Sequence, residues 1–172
     1  LAFLANPRDR QVLDDTGASA VVLGRAAAAA SPVPCLVAAS PSAAFARIGA
    51  RFGRLDVLVA NAGLVPPWRD LTALDLAEWD RVFAVNVRGV ALCLKHAVPL
   101  MPQGGAVVAM GSIMSERGAP RQTLNNATKH AVLGIVRCAA QELGPRGIRV
   151  NALGPGPIAT AALRARVAAR AA

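Results

Sequence analysis

Gly105-Ala-Val-Val-Ala-Met110 and, one residue on, Ser112-Ile-Met-Ser-Glu-Arg-Gly-Ala-Pro-Arg-Gln-Thr-Leu-Asn-Asn-Ala-Thr-Lys129 decide the fold of this chain. The first is a short apolar run of strand type. The second puts a serine where that strand ends and a lysine one turn into a helix, which continues as an apolar segment to residue 143. A strand-to-helix crossover brings the two side chains close in space. They meet at the C-terminal end of a strand, where open α/β sheets bind their ligands.

The flanking sequence repeats the alternation. Residues 55–60, Leu-Asp-Val-Leu-Val-Ala, form a strong strand candidate followed at once by the turn Asn61-Ala62-Gly63. Stretches 57–60, 106–110 and 148–153 are mostly apolar without polar alternation, as in a parallel sheet covered by helices on both faces. Residues 18–23 read as a further strand closed by Gly24-Arg25, and 33–38 as a weak one interrupted by Pro34. Helices are expected from Ser40-Pro41 to Gly53, over 75–101 with Thr72 or Asp75 as the cap, and over 123–143, ending at Gly144-Pro145. Leu1, Phe3, Leu4, Val12 and Leu13 fit a helix remnant interrupted by Pro7. Strands alternating with helices imply βαβ crossovers. The expected fold is α/β: a doubly wound parallel sheet in a three-layer αβα sandwich, one domain over residues 1–172.

Composition narrows the function classes. The 172 residues are 54% apolar and mean hydropathy is +0.41, which supports a core and argues against disorder. No uninterrupted apolar run is long enough to cross a membrane, and the first residues lack the basic leader of a signal peptide. Cys35, Cys93 and Cys138 are scattered without a metal or redox spacing. They read as buried free thiols in a reducing, cytoplasmic compartment. His96 and His130 have no partners at ligand spacing, so no metal is expected. Net charge is +9, but only Lys95 and Lys129 are lysines, and the arginines are dispersed apart from a modest group at Arg164, Arg166 and Arg170. With aromatics at 3% there are too few stacking platforms for nucleic acid. The charge suits small anionic ligands.

Taken together, Ser112, Lys129, Asn61-Ala62-Gly63, the mid-helix Asn86 in Val85-Asn-Val-Arg-Gly89, and Pro155-Gly156-Pro-Ile158-Ala-Thr160 resemble the short-chain dehydrogenase/reductase family. The resemblance implies a Rossmann-type fold, NAD(P) as cofactor and hydride transfer between nicotinamide and a small alcohol or carbonyl substrate. It implies that Ser112, favoured over Ser115 by its distance from position 125, hydrogen-bonds the substrate oxygen. Lys129 would bind the nicotinamide ribose, and Asn86 would open its helix and hold a relay water. Asn61, Ala62 and Gly63 would let the cofactor approach closely, and Pro155, Gly156, Ile158 and Thr160 would hold the carboxamide. It also implies a homodimer or homotetramer through the two long helices.

Two departures qualify that expectation. The family's tyrosine, four residues before the lysine, is Asn125 here, and the chain contains no tyrosine. A carboxamide does not titrate near neutral pH and cannot serve as the proton donor. The family's glycine-rich loop is also missing: Gly17, Gly24, Gly49 and Gly53 have no such spacing. Gly154-Pro-Gly-Pro-Ile-Ala159 imitates the dinucleotide fingerprint, but its prolines lack the N–H groups a pyrophosphate needs. The resemblance is strongest over 55–160 and weaker back to residue 18, so the sheet is expected to be incomplete at its edges, lacking its first strand. Arg25, ending a strand where an acid would favour NAD, suits a 2′-phosphate and tilts the expectation to NADP. The expected function is an NAD(P)-dependent oxidoreductase of impaired activity. The alternative is a catalytically dead, partner-binding pseudoenzyme or fragment.

Overall fold

Parallel pairing of short apolar runs sets the frame. A computed structural model describes residues 2–4, 21–23, 35–37, 41–160, 163–164 and 167–168 of the chain. Strands β1 (Ala2–Leu4), β2 (Val21–Leu23) and β3 (Cys35–Val37) form one parallel ladder in the order β1-β2-β3. Strands β4 (Val57–Ala60), β5 (Ala106–Met110) and β6 (Arg149–Leu153) form another in the order β4-β5-β6. Val57 pairs with Ala106 and Ala106 with Arg149, so the C-terminal ends of β4, β5 and β6 are level. β1 lies beside β4, and the chain reverses its direction of travel across the sheet there, the switch point of a doubly wound fold.

The β1 strand corrects the sequence reading twice. Ala2–Leu4 is extended and paired with β2 rather than part of a helix remnant, and it fills the place of a first strand thought to be missing. Pro7 is the physical reason: so close a proline denies the preceding residues a stable helical turn. The remainder of that stretch and Arg25 lie outside the described residues.

Helix α1 (Pro41–Phe52) links β3 to β4 and stops at Gly53, whose φ of 70° closes the turn. The next crossover is one long helical stretch in three parts: α2 (Leu76–Phe83), a wider π turn over Ala84–Arg88, and α3 (Gly89–Ala97). Of the two candidate caps it is Asp75 that serves, its carboxylate accepting the N–H groups of Ala77 and Glu78. Helix α4 (Thr123–Leu143) joins β5 to β6. By length and composition the stretch Leu76–Leu100 is apolar enough to span a bilayer. Here Val82, Val90, Leu94 and Ala97 turn its apolar side inward.

All three crossovers move the chain the same way along the sheet, and right-handed connections therefore put α1, α3 and α4 on one face. The strands respond by alternation. Leu58, Ala60, Val107, Ala109 and Val150 are buried with Ala44, Ile48, Val90, Val132 and Val136 in one core. Each large aliphatic side chain there contributes about 1.5–3 kcal/mol by leaving water. Their neighbours in sequence point the other way, and Val57 and Leu153 remain 44% and 54% exposed. Cover on both faces was expected; among the described residues it is present on one. The thiols differ from expectation too. Cys93 is half-buried and Cys138, on the outer side of α4, is exposed.

Candidate active site

The polar cluster at the top of the sheet begins with a helix defect. A π turn admits an extra residue into the helical ladder and turns its side chain out of the regular register. At Ala84–Arg88 the residue so presented is Asn86, only 2% exposed. Its Oδ1 accepts the Leu64 N–H at 2.7 Å, and its Nδ2 donates to Leu64 O at 2.9 Å and to Thr128 Oγ1 at 3.3 Å. Thr128, fully buried, passes the link on by donating to Asn125 O at 2.8 Å. Buried polar groups persist when so paired. The network stitches three elements together: the loop after β4, the π turn, and the first turns of α4. Gly63 sits against it, since a Cβ there would lie 3.6 Å from Asn86 Oδ1.

Ser112 follows β5 in extended conformation and caps a short helical turn over Ile113–Ser115. Its Oγ accepts the Met114 N–H at 3.1 Å, while Ser115 Oγ accepts the Ser112 N–H at 3.1 Å. The two serines thus divide the work. Ser115 is buried with its oxygen committed to the backbone, and Ser112 is half-buried and keeps its hydroxyl proton for another acceptor. Gly111 permits this packing: a Cβ there would stand 3.0 Å from both Leu153 O and Ser115 Oγ. The Ile113 N–H donates to Pro155 O at 3.2 Å, which draws the loop after β6 to the serine.

Lys129 lies one turn beyond Asn125 on the same side of α4. Its Nζ donates to Met110 O, the last carbonyl of β5, at 2.7 Å. Among the described residues it forms no ion pair with a carboxylate. Burial without a countercharge disfavours the ammonium form and pushes the amine below its ordinary value of 10.5.

Asn125 is half-buried, and its turn of α4 borders a small pocket with Trp68, Arg69, Glu78 and Arg121. That pocket is braced. The Arg69 N–H donates to Arg121 O at 2.9 Å, Arg69 Nε meets Glu78 Oε2 at 3.2 Å, and Arg121 Nε meets Asp70 Oδ1 at 3.3 Å. Arg121 has a φ of 64°, a left-handed conformation uncommon for a residue with a side chain.

Asn86 and Asn125 are therefore joined through Thr128, with Gly63 against Asn86 Oδ1; Lys129 is tied to the end of β5 two residues before Ser112, and Pro155 joins the turn of Ser112 through Ile113. Asn61, half-buried Ala62, and exposed Gly156, Ile158 and Thr160 flank the same edge. Thr160 Oγ1 accepts the Leu163 N–H at 3.2 Å, so it caps the turn that follows. Arg25 lies outside the described residues. Thr128 and Leu64 escaped the sequence reading, and Ser115 entered it only as the rival of Ser112. Thr128 had one signal, a polar residue immediately before the lysine already singled out.

The set suits the nicotinamide end of NAD(P): a half-buried amine donor, the small residues Ala62 and Gly63, and open space around Gly156, where a Cβ would meet no atom of the described residues within 4 Å. Residues 5–20, between β1 and β2, where this topology seats a pyrophosphate, lie outside the described residues.

Comparison with known proteins agrees with the geometry. A family model described as enoyl-(acyl carrier protein) reductase matches residues 14–171. The short-chain dehydrogenase reductase 5 of Arabidopsis thaliana is 44% identical over 113 residues, covering 64% of this chain and 44% of the plant protein. The chain thus spans less than half the length of that curated relative. The crystal structure of levodione reductase superposes with a TM-score of 0.78 at 30% identity, over 95% of this chain and 74% of that one. The 3-ketoacyl-(acyl-carrier-protein) reductase of Brucella melitensis, solved with NADH, gives 0.78 at 26%, over 95% and 78%. The switch-point fold, the serine and lysine at its rim and the match over residues 14–171 lead to one conclusion: this chain belongs to the short-chain dehydrogenase/reductase family.

Proposed function

We propose that the protein is an NAD(P)-dependent oxidoreductase that moves a hydride between nicotinamide and a small alcohol or carbonyl compound. The observation that carries the reading is the Lys129 amine, half-buried, without a countercharge among the described residues, and held by Met110 O at the C-terminal edge of the sheet. Bound there, the cofactor would supply or take the hydride. Lys129 would hydrogen-bond its ribose, while Asn61, Ala62, Gly63, Pro155, Gly156, Ile158 and Thr160 shape the groove around the nicotinamide. Ser112 would donate its free hydroxyl proton to the substrate oxygen. Asn86 fixes the loop after β4 against α4, and thereby the distance between the two walls of the groove. Asn125 would orient the carbonyl by hydrogen bonding without exchanging a proton, so turnover is slow. Arg25 favours NADP over NAD, because a guanidinium pairs with a 2′-phosphate.

A homo-oligomer is part of this reading. The outer sides of α3 and α4 form an open groove lined by Val98, Ile135, Ala139 and the apolar stems around them, with Lys95 and Glu142 at its edges. A second copy would bury these side chains. Replacing Ile135 by Arg then yields monomer or aggregate, and an unchanged sedimentation profile would refute the interface.

The function itself is tested by absorbance of NADPH and NADH in the presence of small cyclic ketones and the matching alcohols. Slow, substrate-dependent oxidation or reduction is expected. No change with any pair, from a folded chain that binds cofactor, would sink the assignment.

A further inference from the structure

The small cleft that Asn125 borders has an apolar side, with Trp68 and Leu124, and a polar side made of two guanidiniums, Arg69 and Arg121, and one carboxylate, Glu78. The charges are not evenly matched. Glu78 is the sheltered group, its side chain 14% exposed, and two arginines share it: Arg69 Nε at 3.2 Å and, from outside the cleft, Arg81 Nη2 at 3.9 Å. Arg121 has a different partner. Its Nε meets Asp70 Oδ1 at 3.3 Å, but Asp70 is not part of the cleft wall, and the two side chains are 50% and 71% exposed. Ion pairs so exposed contribute little and exchange readily. The wall thus holds one more cation than anion, and the surplus sits on the arginine whose partner is most easily replaced. A guanidinium presents paired N–H donors at the spacing of the two oxygens of a carboxylate.

We propose that this cleft is a subsite for a carboxylate carried by the substrate, with Arg121 as the residue that selects it. The inference rests on the reading that the neighbouring rim takes a small carbonyl or alcohol compound, and it names the class: an oxo acid, or the matching hydroxy acid, on a compact hydrocarbon skeleton. The carboxylate displaces Asp70 from the Arg121 guanidinium, and Asp70 returns to water at little cost because it is already mostly exposed. The skeleton lies against Trp68 and Leu124. The reacting oxygen is held at Asn125, four residues from Arg121 and on the same cleft. Arg121 grips the end of the substrate remote from the reacting carbon, equally in the ground state and the transition state, so it acts on KM rather than on kcat.

The experiment compares 3-oxocyclohexanecarboxylate with its methyl ester, the same skeleton without the charge, as NADPH-dependent substrates of the full chain at neutral pH and low salt. The expected result is a kcat/KM about tenfold higher for the acid, carried by KM. In Arg121→Gln that preference disappears, while the ester is turned over as in the parent chain. Equal values for acid and ester in the parent, or a preference that survives Arg121→Gln, overturns the proposal. Asp70→Asn provides a change of the opposite sign. The Asp70 side chain makes no capping bond, so its replacement spares the fold and releases the Arg121 guanidinium. Affinity for cyclohexanecarboxylate, read by titration calorimetry, then rises several-fold, and an unchanged or weaker affinity counts against the subsite. Calorimetry also separates this inference from the reading beneath it. A chain that binds cyclohexanecarboxylate through Arg121 but turns over neither ketone keeps the subsite and loses the oxidoreductase. A chain that turns over acid and ester equally well does the reverse.

Discussion

Two asparagines stand at opposite ends of one hydrogen-bond chain, and they are in opposite conditions. Asn86, in the π turn, is buried and uses both ends of its carboxamide, on Leu64 and Thr128. Asn125, in the first turns of α4, is half-buried and engages that chain through its backbone carbonyl, which accepts from Thr128. The first residue holds three elements at fixed spacing. The second stands, by the family resemblance of the sequence, in the position proposed for the titrating tyrosine. In the proposed reading the scaffold that positions an active site and the group that runs its chemistry are thus separable: the Asn86 network is fully hydrogen-bonded, while the position assigned to the acid/base holds a group that cannot titrate.

The largest way to sharpen that contrast is Asn125→Tyr. If the framework around it is intact, restoring a phenol beside Lys129 raises kcat/KM by ~10²- to 10⁴-fold, measured as substrate-dependent NADPH absorbance. A folded, cofactor-binding variant with no gain breaks the comparison. Next is stability. Asn86→Ala leaves the Leu64 amide and carbonyl without their partner and costs about 3 kcal/mol by chemical denaturation, while Asn125→Ala stays within about 0.5 kcal/mol. Similar losses at the two positions would mean that their burial does not distinguish them. A smaller effect is expected at the far end of the same helical stretch. Asp75→Ala removes the cap on α2 and costs about 1 kcal/mol, with the Asn86 network undisturbed in amide exchange at Leu64.

The smallest effect is a pH slope. The folded state holds Lys129 below its ordinary value of 10.5 by burial. Between the folded and unfolded values the unfolded chain binds more protons, so stability rises with pH there. The favourable contribution is complete above 10.5 and is lost as pH falls through the lowered folded value. Compared with Lys129→Met, the parent chain therefore gains stability as pH climbs through the alkaline range. A difference independent of pH would show that the amine is not desolvated.

What the sequence disclosed follows the same division. Strands β4, β5 and β6 were legible because three apolar runs each end at a turn, and α4 because its pattern is long and ends at Gly144-Pro145. Asn86 was legible because a carboxamide is out of place in an apolar helix. Its partners were not: Leu64 acts through its backbone, which no side-chain pattern reveals, and Thr128 matters only because the π turn aims Asn86 at it. Ser115 was weighed as a rival to Ser112, whereas its role is to cap Ser112's own N–H. β1 misled because three apolar residues before a proline carry no reliable period. Cys138 misled because an apolar neighbourhood in sequence is not one in space. The helix turns that residue outward, toward a groove with Glu142 and Lys95 at its margins. The left-handed Arg121 left no trace in the sequence at all.

The measurement that bears most directly on the central claim is titration of the purified chain with NADPH and NADH, followed by nucleotide fluorescence, for the parent and for Lys129→Met. The account predicts saturable binding, tighter for NADPH and weakened by the substitution. No binding to either chain at millimolar nucleotide would contradict it, leaving a dehydrogenase framework whose rim does not hold the cofactor.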